Sequence, residues 1–191
     1  MKRAVLALTK LDVQQEIRTM LSHVNYQALA ITDNGMDALR LLHRFEPDLM
    51  IVGWHLVGLG SSELLPTLVE QHLCPTLVVL EADENSLLPD IIKENVQQVV
   101  FYPMRVLDLA AAILQAEHRF KLERETADQI RRLEEEMKTR KLVYQAVLRL
   151  IELRGWNEDR AYTTLRSHAM IQRKSLRALA QDVIKGFWLP D

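Results

Sequence analysis

From Met104 onward the chain runs to Pro190 without a proline and holds only two glycines, Gly155 and Gly186. Nothing up to Arg154 breaks a helix, so the spacing predicts one very long helix, or two nearly continuous ones, from Val106 to about Arg154. Ile113, Ala116, Phe120, Ala127, Ile130, Met137, Tyr144, Leu148 and Ile151 recur on one a/d seam, interrupted by Glu123, Glu134 and Lys141. Arg119, Lys121, Glu125, Arg131, Arg132, Glu135, Glu136 and Lys138 charge much of the remaining surface. A helix with one apolar stripe in an otherwise charged surface must bury that stripe against a partner. No turn lies within it to make a hairpin of one chain. The expectation is a coiled-coil homodimer whose seam holds Ile113, Phe120, Ala127, Ile130, Met137 and Tyr144.

The residues before this helix follow another rhythm. Apolar runs at Ala4–Leu8, Gln27–Ile31, Leu49–Val52, Thr76–Leu80 and Val96–Phe101 read as buried strands. Amphipathic stretches at Val13–Val24, Met36–Phe45, Ser62–Gln71 and Leu87–Glu94 read as the helices between them. Asp12 with Gln15 three residues later has the form of a capping box, and Asp33-Asn34-Gly35 that of a turn. This alternation implies an α/β fold: a five-stranded, doubly wound parallel sheet with helices on both faces.

The balance of 48% apolar and 26% charged residues excludes a disordered chain. No apolar run approaches a membrane span, and the apolar stretch near the N-terminus is too short for a secretory signal, so a cytoplasmic protein without membrane contact is expected. One cysteine, Cys74, excludes an internal disulfide and a cysteine-cluster zinc site; beside Pro75 it reads as a small buried residue. The six histidines (His23, His43, His55, His72, His118 and His168) lack metal-ligand spacing and are expected on surfaces or helix sides. Gly58-Leu59-Gly60-Ser61-Ser62 lacks the second half of either phosphate-binding fingerprint, and no nucleophile elbow occurs. Neither an enzyme nor a cofactor is expected.

Charge divides the chain. From Thr139 onward ten basic residues face five acids, a net of +5, which leaves −7 for residues 1–138. A basic piece joined to an acidic one suits a nucleic-acid-binding module with a separate control module. Gly155 stops the long helix, Asn157 caps a second that runs to about Met170, and a third runs from about Lys174 to Ile184. Helical spacing marks Ala161, Leu165, Ala169, Met170, Leu176 and Ala180 as core. The implied division is 1–118 for the α/β domain, 119–138 for the linker helix and 139–191 for the basic three-helix unit.

Residues Arg140-Lys141, Ala146, Arg154-Gly155, Ala161-Tyr162, Leu165-Arg166, Ala169-Met170, Arg173-Lys174, Leu176 and Ala180 resemble the ANTAR domain, the RNA-binding unit of AmiR- and NasR-type antitermination regulators. Pro47-Asp48-Leu49-Met50-Ile51-Val52, before the Gly58 loop, resembles a response-regulator receiver domain. A working receiver needs an acidic pair after its first strand, an acceptor Asp ending the third, Thr or Ser ending the fourth, and Lys before a proline after the fifth. Here those positions read Thr9-Lys10, Gly53, Glu81 and Tyr102. Gly53 cannot accept a phosphoryl group, and Lys10 repels Mg²⁺. Asp12 and Asp48 have plainer roles, as a helix cap and on the approach to a strand.

The resemblance implies a dimeric antitermination regulator binding hairpin RNA of a nascent transcript leader. Arg140, Lys141, Tyr162, Arg166, Arg173 and Lys174 are the candidate RNA contacts. The pseudo-receiver would answer to a ligand or to a ligand-sensing regulatory protein. Where the family carries Ala-Lys-Gly, this chain has Ala146-Val147-Leu148. The alternative is therefore a dimeric docking module that has lost RNA binding; a DNA-binding regulator is disfavoured because no recognition helix is visible. Lys10 and Glu81 are expected to flank one crevice, either as a direct pair or as solvated rim charges.

Overall fold

The computed structural model describes residues 1–71 and 73–190; His72 and Asp191 lie outside the described residues. The chain forms two compact units, Met1–Glu125 and Thr126–Asp191.

The first unit is an α/β layer structure. Its strands are β1 (Lys2–Ala7), β2 (Tyr26–Thr32), β3 (Leu49–Gly53), β4 (Thr76–Glu81) and β5 (Gln98–Tyr102). They form one parallel sheet in the order β2-β1-β3-β4-β5. Between them run α1 (Leu11–His23), α2 (Gly35–Phe45), α3 (Ser61–Gln71) and α4 (Leu88–Lys93). Because both faces are covered, β1 is apolar at successive positions. Ala4 and Leu6 face α1 and the start of α5 (Val106–Arg154), whereas Val5 and Ala7 face α2, α3 and α4.

Local chemistry sets the helix starts, twice against expectation. Asp12 does not cap α1: the N-cap is Lys10, without a side-chain bond, and Asp12 sits in the first turn where its charge opposes the helix dipole. The expected helix Leu87–Glu94 begins later, because a 3₁₀ segment, Ala82–Leu87, occupies the end of β4 and Pro89 fits only the opening turn of α4. Asn34 does cap α2, accepting from the amides of Met36 and Asp37. At Gly35 a Cβ would lie 2.0 Å from the Leu59 carbonyl oxygen, so only glycine lets this turn meet the loop before α3. Asp48 ties β3 to β1 by accepting from the Arg3 amide at 2.7 Å. Cys74 is buried, and burial pushes its thiol up to about 12.

In the second unit the last turns of α5 pack with α6 (Glu158–Ile171) and α7 (Leu176–Lys185). Val143, Ala146, Val147 and Leu150 meet Ala161, Leu165 and Ala169 of α6 and Leu179, Ala180 and Val183 of α7. Asn157 caps α6 and Ser175 caps α7. Gly155 (φ 64°) and Gly186 (φ 77°) end α5 and α7 in the left-handed conformation. Met170, expected in this core, is instead 73% exposed, because it lies one position past Ala169 on the outer side of α6.

Candidate functional site

Four of the six candidate RNA contacts present unpaired charge. Arg140 and Lys141 lie exposed on α5, Arg166 lies exposed on α6, and Arg173 stands in the α6–α7 turn with φ 53°. Among the described residues none of these four is held in an ion pair. Lys174 is: its Nζ lies 2.8 Å from Asp182 Oδ2. Arg177 and Lys138 are likewise engaged, both by Glu135, whose carboxyl they hold below the usual range. The useful cations are therefore fewer than the charge count suggests.

Tyr162, Arg166 and Met170 follow one another at single-turn intervals along α6 and are all exposed. Tyr162 also lines a surface groove of about 310 Å³ with Thr139, Arg140, Val143, Tyr144, Val147, Glu158 and Leu176. The structure thus joins Arg140 and Tyr162 at one feature; Lys141 does not line it. Two further groove residues, Tyr144 and Glu158, were missed as nucleic-acid candidates. Tyr144 read as seam and Glu158 as an ordinary first-turn acid, and only the packing of α6 on α5 brings them together.

The proposed seam divides. Ile113 is 3% exposed and Ala116 fully buried in the core of the first unit, so Ile113 is removed from any seam between chains. The first turns of α5 spend their apolar stripe on their own sheet. Phe120 is half-buried, whereas Ala127, Ile130, Met137 and Tyr144 are exposed on α5. Leu133, 60% exposed between Ile130 and Met137, joins the same stripe although it lies one position off the expected register.

In the first unit the carboxyl ends of β1, β3 and β4 open onto a cavity of about 230 Å³, lined by Thr9, Lys10, Gly53, Trp54, His55, Glu81, Asp83 and Glu84 among others. Lys10 Nζ donates to Glu81 Oε2 at 2.6 Å, and this carboxylate raises the lysine pKa. The pair is direct, and both side chains remain partly exposed at the rim. Glu81 and Glu84 form a reciprocal capping box, and Glu84 Oε1 also lies 2.9 Å from His55 Nε2. Ser61 Oγ donates to the Gly53 carbonyl at 2.6 Å. Tyr102 does not line the cavity; its hydroxyl donates to Glu16 of α1, which pushes its pKa up to about 12. Among the described residues no group of His, Cys, Asp and Glu is placed to hold a metal ion, and no helix is long and apolar enough to cross a membrane.

Comparison with known proteins places these two features in a family context. Residues 131–184 match the model of the ANTAR domain. Over 189 residues the chain is 22% identical to the transcriptional regulatory protein PdtaR of Mycobacterium tuberculosis, in strains CDC 1551 / Oshkosh and H37Rv. That alignment covers 99% of this chain and 92% of the relative. The first unit has the fold of the signal receiver domain of a modulated diguanylate cyclase from Desulfovibrio desulfuricans G20 (TM-score 0.58, 22% identity, 64% of this chain and 98% of that one). It also matches part of NtrX from Brucella abortus (TM-score 0.59, 18% identity, 67% of this chain and 30% of that one). The chain thus joins a unit with the fold of receiver domains to a segment that matches the ANTAR domain model.

Proposed function

We propose that this protein is a non-enzymatic transcription antitermination regulator of response-regulator type that binds hairpin RNA through its ANTAR domain as a dimer. The observation that carries the reading is the location of the ANTAR match: it falls on the unit where Arg140, Lys141, Arg166 and Arg173 stand exposed and, among the described residues, outside any ion pair. Cations around the α6–α7 turn suit phosphates, and exposed Tyr162 suits an unstacked base. The relative's description as a transcriptional regulatory protein agrees with this role.

The receiver-like unit works as a docking platform for a ligand or a ligand-sensing protein, without phosphotransfer. Gly53 ends β3 without an acceptor side chain, and the Lys10 ammonium lies beside it already engaged by Glu81. The second reading, a docking module without RNA affinity, draws support from Val147, which is buried in the helical core where the family carries a cation. A gel shift comparing hairpin RNA with duplex DNA of equal length, across a salt series, separates the readings. Salt-dependent binding of the hairpin is expected. Replacing Arg166 and Arg173 with Ala should reduce the slope by roughly 0.7 to 0.9 for each phosphate that is no longer neutralised. No hairpin binding, or an unchanged slope, refutes the assignment.

A further inference from the structure

We propose that Arg177 on α7 and Lys138 on α5 form a further phosphate site for the RNA backbone, held closed by the carboxylate of Glu135. The inference rests on the RNA-binding reading above and names a residue that limits affinity within the same unit.

An anion already sits between these two cations. Arg177 Nη1 donates to Glu135 Oε2, and Lys138 Nζ lies 3.1 Å from Glu135 Oε1, so each carboxylate oxygen meets a different cation. A phosphodiester likewise offers two free oxygens on one centre and draws on the same donors. Both cations hold the Glu135 carboxyl below its usual range, Arg177 more strongly than Lys138. The surroundings favour an anion from outside as well. An open hollow of about 550 Å³ is lined by Glu135 together with Arg132, Thr139 and Arg140, and neither arginine has an ion-pair partner among the described residues. Glu136 lines it too, as a second acid.

The closure is weak and accessible. Arg177 and Glu135 keep 39% and 47% of their side-chain surface exposed, and an ion pair so placed gains little over its solvated partners. Another anion can therefore exchange for the carboxylate. Glu135 lies two residues after Leu133 and two before Met137. At about 3.6 residues per turn, that puts it on the side of α5 opposite the exposed apolar stripe. A partner helix seated on the stripe leaves the site open to solvent. The plainer role for the bond, a clasp between α5 and α7, predicts that its loss lowers stability and adds no affinity for RNA.

The test uses the full chain and one hairpin RNA with an all-uridine loop, since phosphate contacts carry no base sequence. Wild type, Glu135→Gln and Glu136→Gln, each with and without Arg177→Ala, are titrated between about 50 and 200 mM salt. Glu135→Gln should bind roughly tenfold tighter at the low end, with a salt slope steeper by roughly 0.7 to 0.9 for each phosphate gained. Arg177→Ala should erase that gain, yet change the affinity of the wild type little. Glu136→Gln makes the same change of charge without touching the bond; it should gain less, and its gain should survive Arg177→Ala. Thermal melts read the clasp separately. A Glu135→Gln protein that melts lower and binds no tighter, or whose gain survives Arg177→Ala, overturns the closed site alone. If no variant binds the hairpin, the RNA-binding reading falls with it.

Discussion

The exposed stripe on α5 permits a quantitative test of assembly. Ile130, Leu133 and Met137 keep 52%, 60% and 70% of their surface uncovered within the chain. Burying a side chain of this size completely contributes about 1.5–3 kcal/mol, so covering Met137 contributes about 1–2 kcal/mol per chain. A symmetric dimer contains each residue twice. Met137→Ser should therefore weaken association by about 2–4 kcal/mol, which raises the dimer Kd by about 30- to 700-fold. Sedimentation velocity over a dilution series measures this directly. The wild type should sediment at twice the 22.1 kDa chain mass at micromolar concentration, and Met137→Ser should become monomeric there with its helical circular dichroism retained. A control at Ile113 should behave differently: Ile113→Ala should lower the melting temperature of the first unit, at a cost of about 2–5 kcal/mol, without changing the dimer Kd. A monomeric wild type, or a Met137→Ser protein that associates as tightly, would refute the seam.

Acetyl phosphate with Mg²⁺ should leave the intact mass unchanged, and so should the same treatment of Gly53→Asp, because Lys10 still occupies the metal side of the cavity; a single phosphoryl adduct on the wild type contradicts the docking role. Lys10→Ala and Glu81→Ala should each lower stability, with a double mutant that costs less than their sum; strict additivity in thermal melts means that the observed pair has no energetic coupling. Cys74 should resist alkylation at neutral pH in the native protein and react at the rate of unfolding, since its thiol is both buried and raised to about 12; rapid labelling of the folded chain rules this out.

The sequence made visible whatever depends on neighbours along the chain. Buried strands announce themselves as apolar runs because both faces of the sheet are covered, and the bounds of α5 follow from the lack of any breaker before Gly155. Other features depend on which surfaces meet. Ile113 and Met137 share a heptad pattern, yet one is taken by the sheet and the other is left bare; periodicity is blind to that difference. Leu133 escaped notice because a strict a/d register is narrower than the stripe the helix exposes. Asp12 fits a capping box and a first-turn acid equally well in one dimension, and the backbone of Lys10 decides between them. The groove needs α5 and α6 packed together before Tyr144, Tyr162 and Glu158 have anything in common. At the crevice the legible part was substitution: Lys10, Gly53 and Glu81 could be named from the chain, whereas their direct bond and the engagement of Glu84 by His55 required coordinates.

The Lys10–Glu81 pair also bears on time. A phosphoryl group on a receiver persists until it is hydrolysed, so the modified domain remembers a signal after its source has gone. An ion pair between partly exposed side chains opens and closes as rotamers exchange, on picosecond to nanosecond scales. A crevice closed in this way stores nothing by itself. For a docking platform of the kind proposed, the duration of a response is then the residence time of whatever is bound, and the off-rate of that partner takes the place of a phosphatase.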